Sequence, residues 1–221
     1  MISKPVIMVN YKTYNESVGK RGLELTKEIE KYATGNWAVC PQAIEMRETI
    51  KSTGLPVFAQ HIDAVEPGSH TGHTLFEAVV DAGAVGTLIN HSENTLELWE
   101  IEMLVSKCKG AGLTTVVCAN NPSASAAAAA LGPDFVAYEP PELIGGDISV
   151  STAKPELVAE AVRMVNGVNT DVGVLCGAGV KNGEDVKRAL ELGTEGVLLA
   201  SGLVKAKNLE AVIADLESGL L

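Results

Sequence analysis

Eight short apolar runs alternate with eight helical patterns along the chain, and this alternation constrains the fold more than any other feature. The runs are rich in Val, Ile and Ala and show no polar alternation, as expected for parallel strands buried on both faces of a sheet. They cover residues 6–9, 37–40, 56–59, 85–89, 113–118, 135–138, 172–176 and 196–199. The helical patterns cover residues 17–33, 42–52, 75–82, 95–110, 122–131, 155–167, 183–192 and 208–218. Successive runs begin roughly 20 to 37 residues apart, which is the size of a βα unit.

Eight βα units predict an α/β fold, specifically a compact (β/α)8 barrel that forms a single domain over residues 1–221. The chain has 221 residues, whereas about 250 is typical of such barrels. The alternative is a doubly wound open sheet, which usually has fewer strands and carries a glycine-rich dinucleotide fingerprint after its first strand. The residues after the first run, Asn10, Tyr11 and Lys12, do not resemble that fingerprint.

The net charge of −11 argues against nucleic acid or an anionic membrane as a general partner. A small anionic substrate is still compatible with this charge, because local cations and helix N-termini can bind it. The cysteines at 40, 108, 118 and 176 are far apart and include no C-x-x-C pair, so we expect buried thiols of a reducing compartment and no metal site. With no signal-peptide pattern and no long apolar span, we expect a cytoplasmic protein that needs no cofactor.

Glu139 follows the sixth run directly and precedes two prolines. Proline cannot donate to a sheet ladder, so the strand must end here and hold the carboxylate at its carboxyl end. Gly145 and Gly146 follow in the next loop, where a lid could hinge or the backbone could approach an anion. These residues alone do not exclude an ordinary βα connection whose carboxylate faces water.

Other polar side chains follow the first and fourth runs, namely Asn10, Lys12 and His91. In a barrel, the carboxyl ends of all strands meet at one face, where active sites are built. Each residue alone has an ordinary explanation, since an isolated histidine is usually structural and an isolated lysine is usually solvated. Together with Glu139 they would supply a base, a hydrogen-bond donor and a fixed cation.

Small residues follow the seventh and eighth runs, at Gly177, Gly179, Ala200 and Ser201. Phosphate sites of barrels are commonly built from backbone N–H groups in these two loops. Gly145 could add a further N–H group. The alternative is that the glycines only permit tight turns, but the pattern favours phosphate binding.

Several segments resemble, in order along the chain, motifs of the triosephosphate isomerase family and of its short archaeal branch. They are NYK at 10–12, AQHID at 59–63, NHSE at 90–93, AYEP at 137–140, EPPELIG at 139–145, LCGAG at 175–179 and ASG at 200–202. No single motif is decisive, but the ordered set covers nearly the whole chain. The resemblance implies an aldose–ketose isomerase of glycolysis and gluconeogenesis that interconverts dihydroxyacetone phosphate and D-glyceraldehyde 3-phosphate through an enediolate.

The resemblance also assigns roles to the residues. Glu139 would be the base, and His91 would polarise the substrate carbonyl as a neutral imidazole, for which this family is itself the known example. We expect the dipole of a helix beginning near Ser92 to disfavour the imidazolium. Lys12 would stabilise the oxyanion, while Asn10 would bind substrate or position Lys12.

The remaining implied contacts are to the substrate and its phosphate. Tyr11 is counted among the substrate-binding residues, and Ile144 and Gly145 belong to a lid that would grip the phosphate and exclude water. Residues 145–147 read Gly-Gly-Asp instead of the commoner Gly-Thr-Gly, so we expect altered lid kinetics with activity retained. Asn94 and Thr95 stand where the family usually carries Arg, which puts a nearby interface salt bridge in doubt.

The helix predicted from Thr95 carries apolar residues on two faces. At about 100° per residue, the inward face holds Leu98, Ile101, Leu104, Val105 and Cys108. The outward face holds Leu96, Trp99 and Met103. An outward Trp indicates an oligomer contact, although it can also be a scattered apolar residue. In the family, the loop at 61–74 reaches into a partner's active site, so we predict a dimer through this loop and a homotetramer through the Trp99 face.

Two other functions compete with this interpretation. One is a different phosphate-binding barrel isomerase, such as those of tryptophan or histidine synthesis, which generally use Asp or Cys at other strand ends. The other is a non-catalytic module that binds phosphosugars. The combination of Lys12, His91 and Glu139 favours the triose phosphate isomerase over both.

Overall fold

Eight parallel strands form one sheet in the computed structural model, which describes residues 2–140 and 149–220. The strand order is β2-β1-β8-β7-β6-β5-β4-β3. The strands are β1 Val6–Asn10, β2 Asn36–Cys40, β3 Phe58–Ala59, β4 Gly86–Ile89, β5 Thr114–Ala119, β6 Phe135–Tyr138, β7 Gly173–Cys176 and β8 Gly196–Leu199. A parallel bridge between Val39 and Val57 joins β2 to the segment that leads into β3, which brings the two ends of the sheet together. The predicted (β/α)8 barrel is therefore confirmed, and the open doubly wound sheet is excluded.

Helices lie between successive strands and cover the outside of the barrel. They are α1 Lys20–Tyr32, α2 Ala43–Ser52, α3 Phe76–Ala82, α4 Leu98–Gly110, α5 Pro122–Ala130, α6 Val150–Ala153, α7 Pro155–Val168, α8 Gly183–Glu191, α9 Ser201–Val204 and α10 Leu209–Ser218. The short helices α6 and α9 were not expected from the sequence. Across the described ranges, no helix is long and apolar enough to span a membrane.

Alternate residues of each strand belong to two separate apolar layers. Val6 and Met8 of β1 pack inside the barrel with residues such as Leu175 of β7. Ile7 and Val9 pack outward against the helices. Because side chains alternate between the two faces of a strand, this pattern decides which residue at each strand end points into the barrel.

Helix α4 confirms part of its predicted orientation and corrects the rest. Ile101 and Leu104 are buried as expected, as are Val105 and Cys108. Leu98 was expected to face the sheet but is 63% exposed; it is the first residue of the helix, which begins later than the sequence predicted. Trp99 is 55% exposed, as predicted, whereas Leu96 and Met103 are half-buried. All four cysteines are free and buried, which confirms that their thiols lie in the core.

Candidate active site

A cavity at the carboxyl ends of the strands brings together most of the residues singled out by the sequence. Its lining includes Asn10, Lys12, His91, Glu139, Gly177, Gly179, Ala200 and Ser201. Asn10 continues the inward alternation of β1, and Glu139 that of β6, whose Ala137 lies inside the barrel. Closure of the barrel thus brings side chains from the ends of separate strands together in one site.

Lys12 occupies a left-handed backbone conformation, with φ of 47°. Its backbone N–H donates to Asn10 Oδ1 at 2.9 Å, and Gln60 Nε2 donates to the Lys12 carbonyl at 3.0 Å. The Lys12 ammonium donates to Glu93 Oε1 at 2.8 Å. Such a conformation is unfavourable for a side chain with a Cβ and persists only where its surroundings hold it. These contacts hold Lys12 at the cavity wall, and Asn10 contributes one of them.

His91 lies buried at the end of β4, with 7% of its side chain exposed. The Glu93 backbone N–H donates to His91 Nδ1 at 3.1 Å, so the neutral ring carries its proton on Nε2. Burial lowers the pKa of His91 and so does the Lys12 cation, while Glu93 opposes them. The imidazole is therefore neutral near pH 7 and can donate from Nε2. The expected helix dipole is not the reason, because α4 begins only at Leu98.

Glu139 is 4% exposed, and its backbone N–H donates to the Ala119 carbonyl at 2.8 Å. Burial raises the pKa of its carboxyl group to about 7, against the opposing effects of a hydrogen bond with the Cys118 side chain and of the Lys12 cation. Within the described ranges, Glu139 Oε2 has no hydrogen-bond partner. It lies 3.6 Å from His91 Nε2, too far for a hydrogen bond. This oxygen is thus available to exchange a proton with a bound molecule.

The predicted phosphate-binding residues differ in what they contribute to the cavity. Some lie where backbone N–H groups could bind an anion, whereas Gly177 leaves space for the Glu139 side chain. Ala200 and Ser201 lie at the start of α9, whose first backbone N–H groups have no acceptor inside the helix. Gly179 lines the cavity with φ of 72°, a conformation that favours glycine. The Gly177 N–H instead donates to the Tyr138 carbonyl at 3.0 Å. Gly177 contributes space, because a Cβ there would lie 2.3 Å from Glu139 Cγ.

Tyr11 is a correction to the predicted set, since its side chain lies outside the cavity. Its hydroxyl shares a hydrogen bond of 2.8 Å with Thr26 Oγ1 of α1, and its ring is buried between sheet and helices. The reason is strand alternation: Asn10 points into the barrel, so the next residue points out. Ile144 and Gly145 lie outside the described residues.

Sequence reasoning missed several residues around the cavity, among them the polar residues Gln60, Tyr14 and Lys181. Gln60 donates from Nε2 to both the Lys12 and Cys40 carbonyls. Tyr14 and Lys181 line the cavity. All three follow shortly after predicted strands, so reading further into each loop after a strand would have found them.

The fold and this arrangement define a class of protein: a (β/α)8 barrel whose carboxyl-end cavity joins a carboxylate of near-neutral pKa to a buried imidazole and a fixed cation. The family model for triosephosphate isomerase matches residues 5–216. The chain is 56% identical to the triosephosphate isomerase of Methanocaldococcus jannaschii, over 96% of this chain and 98% of the relative. It is 51% identical to that of Methanothermobacter thermautotrophicus, over 97% of this chain and 95% of the relative.

The similarity to the triosephosphate isomerase of Methanothermus fervidus is comparable, with 49% identity over 97% of this chain and 98% of the relative. The chain therefore belongs to the triosephosphate isomerase family, and its barrel is a TIM barrel. The family resemblance of its motifs is confirmed, including the resemblance to archaeal members.

Proposed function

We propose that this protein interconverts dihydroxyacetone phosphate and D-glyceraldehyde 3-phosphate through an enediolate. The observation that carries the proposal is the pair formed by Glu139 Oε2 and His91 Nε2, which lie 3.6 Å apart in the buried cavity. Glu139 removes a proton from one substrate carbon and returns it to the neighbouring carbon. A pKa of about 7 suits a group that must both accept and release a proton near neutral pH.

His91 acts at the substrate oxygens while Glu139 acts at the carbons. Its Nε2–H donates to the carbonyl oxygen and thereby stabilises the charge that develops as the carbon loses its proton. The Lys12 ammonium stabilises the same oxyanion, and its side chain is 11% exposed, so water screens it little. Asn10 keeps Lys12 in place through the 2.9 Å hydrogen bond to its backbone N–H.

The phosphate of the substrate binds where the loops after β7 and β8 border the cavity, near Gly177, Gly179, Ala200 and Ser201. Backbone N–H groups at the start of α9 are suited to a dianion. Ile144 and Gly145 were predicted to complete this grip from the lid, and they lie outside the described residues.

Turnover of the natural substrate tests the proposal directly. The purified protein is expected to convert D-glyceraldehyde 3-phosphate to dihydroxyacetone phosphate in an assay coupled to NADH oxidation. Glyceraldehyde without phosphate is the matched control and should be isomerised far more slowly, because it lacks the group that anchors substrate in the cavity. Calorimetric binding of the phosphosugar with no turnover would instead support a non-catalytic binding module.

The cellular setting follows from the same proposal. We place the reaction in glycolysis and gluconeogenesis in the cytoplasm, and we expect a single barrel domain over residues 1–221 with no cofactor. The family match over residues 5–216 supports the single domain.

We propose further that the protein is a homo-oligomer, with a dimer formed through the loop at 61–74. A cavity of about 400 Å³ borders the catalytic residues and is lined in part by Lys12, His91 and Glu93. The loop of a partner could fill it and contact the site. Ile44, at the start of α2, is 89% exposed, which is unusual for an isoleucine unless another surface covers it.

A second contact, through Trp99, would join dimers into a tetramer. Trp99 and Leu98 are both exposed, and the Trp99 indole N–H donates to Glu97 Oε2 at 2.7 Å. Beside them, a cavity of about 410 Å³ lies between α4 and α5 and is lined partly by Ala124 and Leu131. A protruding aromatic side chain next to an apolar hollow suits a self-complementary contact.

Trp99→Glu is expected to reduce the sedimentation mass from a tetramer to a dimer, because a carboxylate cannot be buried unpaired at the contact. Val168→Glu is the control: it also charges an exposed apolar residue, but at the far end of α7, and should leave the mass unchanged. A Trp99→Glu protein with the wild-type mass would contradict the tetramer contact.

A further inference from the structure

Asn90 lies directly before His91 and has a left-handed backbone conformation, with φ of 61°. Within residues 2–140 and 149–220, Lys12 is the only other residue besides glycine with positive φ. The register of β4 and β5 pairs Ile89 with Val117, so its continuation would bring position 90 opposite Cys118. The left-handed turn instead takes the backbone out of the ladder at this point.

The Asn90 side chain bonds on both sides of this turn. Its Nδ2 donates to the Cys118 carbonyl at 3.0 Å. This hydrogen bond takes the place of the backbone hydrogen bond that a continued β4 strand would make with β5. Its Oδ1 accepts from the Leu96 N–H at 2.9 Å, which closes the loop that carries His91. One side chain thus satisfies two backbone groups and ties this loop to the end of β5.

The carboxyl end of β5 also holds Glu139 in place. The Ala119 carbonyl accepts from the Glu139 N–H at 2.8 Å, one residue after the carbonyl that Asn90 holds. The Cys118 side chain also lowers the pKa of the Glu139 carboxyl group, against the effect of burial. The last two residues of β5 therefore connect the loop of His91 on one side with Glu139 on the other.

We propose that Asn90 is a positioning residue, which sets the placement of His91 relative to Glu139 by tying the His91 loop to the carboxyl end of β5. This role rests on the proposed function and deepens it. Without the two hydrogen bonds of the Asn90 side chain, the loop that carries His91 could shift, and the imidazole ring could move relative to Glu139. Reaction rates depend steeply on such alignment, since the acid and the base must act on adjacent atoms of one substrate.

Asn90→Gly isolates the side chain, because glycine adopts positive φ without steric cost and only the two hydrogen bonds are lost. We expect kcat to fall on the order of tenfold to a hundredfold, the scale of a displacement approaching 1 Å. KM should change little, because the predicted phosphate-binding residues are untouched. Asn208→Gly is the matched control. It removes the hydrogen bond that Asn208 Oδ1 accepts from the Ala211 N–H at the start of α10, and it should leave kcat unchanged.

The ring nitrogens of His91 provide a readout that a loss of stability alone would not change. In the wild type, 15N spectra at pH 7 should show Nδ1 as the unprotonated nitrogen, held by the Glu93 N–H. The titratable groups that face the ring are Lys12, Glu93 and Glu139. In Asn90→Gly the two ring signals should move toward each other as the loop loosens and the tautomers mix.

A folded Asn90→Gly protein with wild-type kcat and unchanged ring signals would overturn the proposal. If that variant does not fold, Asn90→Asp decides, because it keeps the acceptor for Leu96 N but has no donor for the Cys118 carbonyl. It should also show a reduced kcat and displaced ring signals, and wild-type values for both would again refute the tie. Absence of turnover in the wild type would refute the proposed function alone, since the ring signals still test the positioning.

Discussion

Replacing Glu139 with glutamine is expected to lower kcat by about 10²- to 10⁴-fold, the contribution of a positioned general base. Glutamine has nearly the same shape and would occupy the same place beside His91, but it cannot accept the substrate proton. The coupled assay measures the effect. Glu184→Gln makes the same chemical change in the exposed first turn of α8 and should leave kcat unchanged. A Glu139→Gln enzyme with wild-type turnover would show that another group is the base.

The same substitution has a pH-dependent effect on stability. The ordinary pKa of a glutamate is 4.5, and burial raises that of Glu139 to about 7. Between these values Glu139 retains a proton in the folded protein that it has lost in the unfolded chain, so its contribution to stability falls as pH rises from 4.5 to 7 and then levels off. Glutamine does not titrate, so its relative stability should increase across this window, by at most about 3 kcal/mol. Denaturant unfolding of both proteins at pH 4.5 and pH 8 measures the difference, and a constant difference would contradict the raised pKa.

Replacing Gly177 with alanine is expected to lower kcat on the order of a hundredfold while the fold is retained. The added Cβ would lie 2.3 Å from Cγ of Glu139, so the base must move out of its position. The backbone of Gly177 has no positive φ, which means that alanine adds no backbone strain of its own. Kinetics and thermal unfolding together separate displacement of the base from general destabilisation.

Gly167→Ala is the matched control for this substitution. A Cβ at Gly167 would have no neighbour within 4 Å, and the residue lies in α7, where alanine is favoured over glycine by roughly 0.5–1 kcal/mol. The control should therefore keep wild-type kcat and gain some stability. If Gly177→Ala also kept wild-type kcat, the position of Glu139 would not depend on this contact.

The contrast between Asn10 and Tyr11 shows where sequence reasoning succeeded and where it stopped. Both were counted among the substrate-binding residues, Asn10 because it follows the first strand and Tyr11 because of the family resemblance. Only Asn10 does line the cavity, since alternation along β1 sends Tyr11 to the outer layer, where it bonds with Thr26. The alternation of side chains along β1 could be predicted from the sequence. Which of the two faces of the strand points toward the barrel axis could not.

Leu98 and His91 illustrate the limit at helix starts. A helix expected earlier along the chain placed Leu98 against the sheet and put a helix dipole behind His91. The helix begins at Leu98, so that side chain is exposed and the neutral imidazole depends on burial and on Lys12. Caps and loop hydrogen bonds set such boundaries, and they are less regular than the strand pattern.

The sequence by itself determined the barrel and the positions of Lys12, His91 and Glu139 at strand ends. The reason is that buried strands must be apolar, so they can be recognised in the sequence as apolar runs at regular intervals. Only the tertiary structure decided the 3.6 Å approach of His91 to Glu139, the spacer role of Gly177, and the contacts of Asn90 and Gln60. These depend on atoms from separate strands meeting after the sheet closes. Local sequence encodes which residues a strand carries, whereas barrel closure and register fix which of their atoms come within bonding distance.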